Sequence, residues 1–234
     1  GYHYSQVLSS ICHEYIFKKD MEAAMPKTQR LLTGTFLLTA AGLISRFIGF
    51  FYRIFLSHTI GAQGLGIYQL VFPLFSLAYA FTVMGIQTAL SKCISAEAAT
   101  GNKDGAKNLL ITGSAVSFVL SVFTAFLVFK GCSWFCIHIL TEPDCIPLMK
   151  LMAFTIPFGT LHICIISYYF AGRNTWIPSV GQLLEQILRV FATWIFYRFM
   201  LQQGMEATPL LAVAGTAAAE VFSLLFILYF LQKD

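Results

Sequence analysis

The sequence predicts an all-α polytopic membrane protein with six transmembrane helices. Of its 234 residues, 57% are hydrophobic and only 11% are charged, whereas soluble domains average about 25% charged residues. Six apolar stretches each reach the roughly 20 residues that a membrane-spanning helix needs. They lie at 31–57, 66–90, 107–129, 147–170, 175–199 and 209–231. Because the connections between them are short, residues 30–234 are predicted to form one transmembrane domain without a soluble domain.

The first 29 residues differ from the rest of the chain. They are polar and mixed in charge, and they lack the apolar core of a signal peptide. The chain opens on glycine, and Met21 or Met25 would be a natural start just before the first span. We therefore expect residues 1–29 to be disordered or extraneous to the membrane domain, and we assign them no function.

The positive charges indicate an orientation in the membrane. The net charge is +4. With the N-terminus on the cytoplasmic side, nine of the 15 Lys and Arg residues fall in inside segments, and three fall in outside segments. This excess follows the positive-inside rule, so both termini are predicted to be cytoplasmic. The basic residues do not cluster, which argues against a nucleic-acid partner.

The first span carries a polar stripe, whose members recur at steps of three or four residues and so share one helical face. They are Thr35, Thr39, Gly42, Arg46, Gly49, Arg53 and Ser57. Arg46 lies near the middle of the span, where an arginine costs about 2.5–3.5 kcal/mol on translocon scales. Arg53 lies about 10 Å further along the helix, near enough to the interface to snorkel. Such a positive site suggests an anionic ligand.

Packing is the alternative interpretation of the stripe. Small residues at this spacing let helices approach closely, which explains the glycines but not the arginines. A structural ion pair is the alternative role for each arginine. Residues 61–66 are predicted to form an outer hairpin, because they contain three glycines. Gln69, just beyond this hairpin, is either a ligand contact or an interhelical hydrogen-bonding residue.

Besides the stripe arginines, one arginine and two glutamates lie well inside predicted spans. Glu185 precedes Arg189 by four residues in the fifth span, which is the favourable order for an ion pair within one helix. Glu220 in the sixth span is free to pair with an arginine of another helix. If Glu185 neutralises Arg189, Glu220 can neutralise only one of the two stripe arginines. At least one positive charge is then left for water, a carbonyl group or an anionic ligand.

Three cysteines gather in one predicted outer loop near His138. Cys132, Cys136 and Cys145 suggest either a disulfide or metal site, or unpaired thiols at a membrane surface. Their spacing matches no zinc pattern, and no second histidine is near. Unpaired thiols are the simpler interpretation, and no cofactor or metal site is predicted.

Several segments resemble a known family of membrane proteins. The run from Gly34 to Ala99, GTFLLTAAGLISRFIGFF through to SKCISAEAA, resembles the start of the stage V sporulation protein B and polysaccharide-exporter family. YFAGRNTWIPSVGQLLEQILRV resembles its fifth helix. The specific pieces are Ser-Arg at 45–46 with Gly-Phe at 49–50, Gly-Leu-Gly-Ile-Tyr-Gln at 64–69, and Glu-Gln at 185–186 with Arg-Val at 189–190. The resemblance covers most of residues 30–231.

This resemblance implies the fold of a multidrug/oligosaccharidyl-lipid/polysaccharide exporter, the superfamily of the lipid II flippases. It implies a flippase of a polyprenyl-pyrophosphate-linked saccharide in the bacterial cytoplasmic membrane, serving polysaccharide or peptidoglycan synthesis and possibly the spore cortex. Arg46 matches a Ser-Arg position at which related flippases hold pyrophosphate, and Arg53 fits the sporulation branch. Arg46, Arg53, Gln69, Glu185, Arg189 and Glu220 are the candidate substrate-binding residues.

Family members have two six-helix lobes around a central cavity, so the six spans of this chain are expected to form one lobe. A second lobe or a second copy would then complete the cavity, with membrane lipid around it. A multidrug or ion exporter of the same superfamily is the alternative function. This exporter function is disfavoured because the first span contains no acidic residue that could bind a cation. A membrane enzyme is disfavoured because the inside acids, Glu97 and Asp104, are isolated.

Overall fold

The computed structural model describes residues 27–172 and 174–233, and the described chain is helical apart from short connections. The prediction of an all-α membrane fold with six helices is confirmed. The predicted polar segment, residues 1–29, lies outside the described residues except for its last three. Arg173, one of the predicted inside charges, also lies outside them.

The first two spans form one helical segment, Lys27–Ala99, which breaks at Gly61. The backbone of Gly61 has φ 72° and ψ 174°, a conformation that is essentially restricted to glycine. We call residues 27–60 α1 and residues 62–99 α2. The prediction of a hairpin over residues 61–66 is therefore too long, since the break is confined to one residue. Only Gly61 leaves the helical conformation, because the residues after it have their backbone groups hydrogen-bonded within α2.

Four further helices follow: α3 (Lys103–His138), α4 (Cys145–Ala171), α5 (Trp176–Gln202) and α6 (Leu210–Lys233). Helix α3 is longer than the predicted 107–129 at both ends. Between Ala99 and Lys103 the chain reverses direction in three residues. There the Asn102 side chain accepts a hydrogen bond from Gly105 N (2.9 Å) and donates one to Glu97 Oε2 (3.0 Å). Asn102 is thus the N-cap residue of α3, and its hydrogen bonds fix the start of this helix directly after the reversal.

Within residues 27–172 and 174–233, four segments are long and apolar enough to cross a membrane: Leu32–Ala80, Asp104–His138, Cys145–Ala171 and Leu210–Lys233. The first has 49 residues and spans the break, so it accounts for most of α1 and α2. Helix α5 is not among the four, because Gln182, Glu185, Gln186 and Arg189 lower its hydropathy. These helices are those of a multi-pass membrane protein.

Helix α4 is the centre of the bundle, in contact with α3, α6 and the Lys27–Ala99 segment. In an apolar stretch of 18 residues of α4, 56% of the residues are buried inside the bundle. Helix α5 packs against α6 and α1. Between α1 and α5, Tyr52 and Thr193 share a 3.0 Å hydrogen bond, and Phe55 meets Tyr197 edge to face. These contacts leave the opposite face of α1 open.

The three loop cysteines of the prediction lie in the packed interior instead. Cys132 and Cys136 belong to the last turns of α3, and Cys145 begins α4. All three are at most 1% exposed and belong to the same apolar cluster, with Leu148 and Met149. All three thiols are free, as are Cys93 and Cys164. The simpler interpretation, unpaired thiols, is therefore confirmed, but they are buried core residues and not surface groups.

Candidate functional site

The polar stripe of α1 lies on the exposed surface of the bundle. Arg46 and Arg53 are both exposed, and neither forms an ion pair or a hydrogen bond with any described residue. Exposed apolar side chains surround them on α1: Phe47 is 66% exposed and Phe50 is 60% exposed. A Cβ atom on Gly42 or Gly49 would meet nothing within 4 Å. The stripe is therefore an open face on which two guanidinium groups have no carboxylate partner among residues 27–172 and 174–233.

Gln69 is also exposed, on the first turns of α2 beyond the break. It does not line the cavity of about 560 Å³ inside the bundle that holds Glu185, Arg189 and Glu220. Thus three of the six predicted site residues, Arg46, Arg53 and Gln69, lie on the outer surface of α1 and α2.

The other three predicted residues come together inside the bundle, at a cavity of about 560 Å³. Glu185 and Arg189 of α5 line it from one side, and Glu220 of α6 lines it from another. Arg189 Nη2 lies 2.6 Å from Glu185 Oε1, so the predicted ion pair within α5 is confirmed. Each side chain of this pair is 19% exposed.

Glu220 does not pair with any arginine that the structure describes. Its partner among the described residues is His162 of α4, whose Nδ1 lies 3.7 Å from Glu220 Oε1. This differs from the expectation, because no carboxylate of the described residues reaches either stripe arginine. Within the described part of the chain, both Arg46 and Arg53, and not just one of them, lack a carboxylate partner.

Sequence reasoning missed His162. The residue is only 4% exposed, and its Nε2 atom is buried without a hydrogen-bond partner among the described residues. The signal was present, because an ionisable residue in the middle of an apolar span is a functional-site hypothesis by default. The same rule that singled out Arg46 applies to His162.

The cavity is lined by ionisable groups from four helices. Tyr79 belongs to α2, His162 to α4, Glu185 and Arg189 to α5, and Glu220 to α6. Two carboxylates face one guanidinium, so the cavity carries one net negative charge when His162 is neutral. Gly159 makes room for them: a Cβ atom there would lie 2.6 Å from Glu220 Oε1 and 2.9 Å from the Tyr79 hydroxyl.

The bundle and its two polar regions define the class of the molecule: a polytopic helical membrane protein with an open cationic face and an internal acidic cavity. Such polar sites within membrane helices are typical of transport proteins. Residues 31–234 match the model of the family described as polysaccharide biosynthesis protein. The chain belongs to this family.

Two individual similarities agree with that membership. The chain is 30% identical over 204 residues to stage V sporulation protein B of Bacillus subtilis (strain 168), covering 85% of this chain and 38% of that protein. It is 27% identical over 175 residues to the lipid II flippase MurJ of the same organism, covering 70% and 31%. It thus spans about a third of the length of these curated relatives.

Among solved structures, the bundle resembles the outward-facing conformation of a multidrug resistance MATE family transporter of the MOP superfamily. The TM-score is 0.76 at 16% sequence identity, and the match covers 88% of this chain and 45% of the transporter. At this identity the likeness concerns the fold alone. The predicted resemblance to the polysaccharide-exporter family is confirmed, and the six helices correspond to somewhat less than half of a transporter of this fold.

Proposed function

We propose that this protein moves a polyprenyl-pyrophosphate-linked saccharide across the bacterial cytoplasmic membrane, and that the open face of α1 binds its pyrophosphate. The observation that carries this proposal is the state of Arg46 and Arg53. Both guanidinium groups are exposed on one helical face, and no carboxylate in the described part of the chain neutralises them. An anion with several oxygen atoms is the natural partner of such a pair, because guanidinium groups bind phosphate oxygens through two parallel hydrogen bonds.

The surroundings of the arginines support a lipid-linked anion over a soluble one. Leu43, Phe47, Phe50 and Ile54 are all exposed on α1 beside the arginines. A polyprenyl chain and a pyrophosphate group need these two kinds of surface next to each other. The similarity to a protein named lipid II flippase supports the same substrate class.

The open face is one wall of a substrate pathway in this proposal. A second six-helix lobe, or a second copy of this one, would form the other wall and exclude lipid from the guanidinium groups. Transport would then proceed by rocking of the two lobes, which exposes the pyrophosphate site to each side of the membrane in turn. Both termini of the described lobe are proposed to be cytoplasmic, as the positive-inside rule indicates.

The test is lipid II exposure in cells that depend on this protein for transport. Arg46→Ala is expected to abolish or strongly reduce outward exposure at equal expression, because it removes the central positive charge of the face. Arg198→Ala is the matched control, since Arg198 is an exposed arginine that belongs to α5 and lies over the Trp194 ring of the same helix. Unchanged exposure with Arg46→Ala would count against the proposal.

A multidrug or ion exporter is the second candidate function. The acidic cavity favours it, since one net negative charge from Glu185, Arg189 and Glu220 suits a cationic substrate. Transport of an organic cation that is lost on Glu220→Gln, but not on Arg46→Ala, would select this function over the first.

A further inference from the structure

We propose that His162, Glu185 and Glu220 form a binding site for a divalent transition-metal ion inside the bundle. One ligand atom from each of the three residues lies within 4.8 Å of the others. They come from three helices, α4, α5 and α6. This site is separate from the arginine stripe, and the proposal does not depend on the proposed flippase function.

The unsatisfied imidazole is the first argument. His162 is 4% exposed, lines the cavity and leaves Nε2 without a partner among the described residues. A buried polar atom without a partner costs about 1–3 kcal/mol, so it calls for an explanation such as an ion or an unoccupied ligand position. Its other nitrogen faces Glu220 at 3.7 Å, which is too long for a good hydrogen bond.

Charge is the second argument. Arg189 neutralises one of the two carboxylates through Glu185 Oε1, but the other oxygen of Glu185 is not part of that 2.6 Å contact. Of the side chains that the structure describes, only that of His162, when protonated, forms an ion pair with Glu220. The neutral form of the imidazole, which is the form that binds metals, therefore leaves a negative site that attracts a cation.

The ligand set selects the kind of cation. Sodium and calcium ions prefer sites built wholly from oxygen, whereas imidazole together with carboxylates suits zinc and its neighbours in the first transition row. One His and two carboxylates leave the remaining coordination position facing the cavity. Metal–ligand bonds of about 2.0–2.2 Å require the three ligand atoms to close in by about 1 Å. The 16–19% exposed carboxylates have room for this movement.

Gly159 is the third argument, because it provides the space in which the carboxylate of Glu220 lies. A Cβ atom at residue 159 would lie 2.6 Å from Glu220 Oε1, inside van der Waals contact. Gly159→Ala is thus expected to displace a ligand without removing any ligand group.

The experiment measures Co²⁺ binding to the purified protein without a polyhistidine tag, by calorimetry and by the visible absorption of the bound ion. We expect one ion per chain at neutral pH, with weaker binding at acid pH because protons compete for the imidazole. His162→Gln and Glu220→Gln are expected to weaken binding more than about tenfold, since loss of an outer-shell partner alone costs about 10–100-fold. Gly159→Ala is expected to weaken it as well.

Two matched controls separate the site from adventitious binding and from misfolding. His138→Gln removes an exposed histidine that stacks on Trp134, and Gly131→Ala adds a methyl group where nothing lies within 4 Å. Both are expected to bind Co²⁺ like the parent chain. A Co²⁺-induced rise in unfolding temperature, present in the controls and absent in folded His162→Gln, would support the site. Absence of Co²⁺ binding by the parent chain, or equal binding by His162→Gln, would overturn the proposal.

Discussion

Gly215 of α6 is the position where the packing beside the cavity is most sensitive to a single methyl group. A Cβ atom there would overlap Thr193 Oγ1 of α5 and would lie 3.1 Å from Thr193 Cβ and 3.2 Å from its backbone nitrogen. Thr193 is 0% exposed. Its hydroxyl donates to the Arg189 carbonyl (2.8 Å), so the Tyr52 hydroxyl donates to Thr193 at 3.0 Å. The threonine has no free direction in which to move.

The expected effect of Gly215→Ala follows from three terms. Overpacking costs about 1–3 kcal/mol. Loss of the hydrogen bond between Tyr52 and Thr193 costs about 1 kcal/mol. The higher helix propensity of alanine returns about 1 kcal/mol. The net destabilisation is therefore about 1–3 kcal/mol, and a loss of 2 kcal/mol lowers the unfolding temperature of a chain of this size by about 4–8 °C.

The assay is thermal unfolding of the purified protein in detergent, followed by tryptophan fluorescence. Gly131→Ala is the control, because it gains helix propensity without meeting any atom within 4 Å. It is expected to match or exceed the parent unfolding temperature. If Gly215→Ala unfolds at the same temperature as Gly131→Ala, the close packing of α5 on α6 at Thr193 is refuted.

Three further predictions concern the ion pair, the helix break and the thiols. Glu185→Gln is expected to lower the unfolding free energy by about 1–3 kcal/mol in a thermal assay, less than for a fully buried pair because both side chains are 19% exposed. Gly61→Ala is expected to lower the unfolding free energy by about 1–3 kcal/mol, because alanine is strained at φ 72°. Gly66→Ala, in the regular part of α2, is expected to leave the unfolding free energy unchanged. Equal stability of the two variants would contradict this prediction. In a Cys12→Ser variant, maleimide is expected to label only Cys93 of the folded protein, because the other described cysteines are buried. A membrane-impermeant maleimide is expected to reach Cys93 from the cytoplasmic side of the membrane.

The helices could be predicted from the sequence because each apolar run exceeds the length of a membrane span. The ion pair of Glu185 and Arg189 was equally accessible, since four residues on one helix fix their proximity. The pairing of Glu220 with His162 was not, because a helical pattern gives the direction of a side chain but not its neighbour on another helix. The same limit left the partner of Arg46 open.

Turns were the weakest part of the sequence prediction. The three glycines at 61–66 indicate a flexible turn, yet only Gly61 departs from the helical conformation. A glycine whose neighbours are helical does not have to end the helix. The short reversal after Ala99 depends on the Asn102 side chain, which donates a hydrogen bond to the Glu97 carboxylate and accepts one from the backbone nitrogen of Gly105. No composition-based rule locates such a cap within a polar stretch.

The central claim is that the exposed guanidinium groups of α1 bind the pyrophosphate of a lipid-linked saccharide. The most direct test is the affinity of the purified protein, in lipid nanodiscs, for a polyprenyl-pyrophosphate saccharide. Hydrogen bonds to charged groups contribute about 1.5–3 kcal/mol, so Arg46→Ala is predicted to weaken binding by about tenfold or more. Arg198→Ala is predicted to leave the affinity unchanged. Equal affinity of the parent protein and Arg46→Ala would contradict the claim.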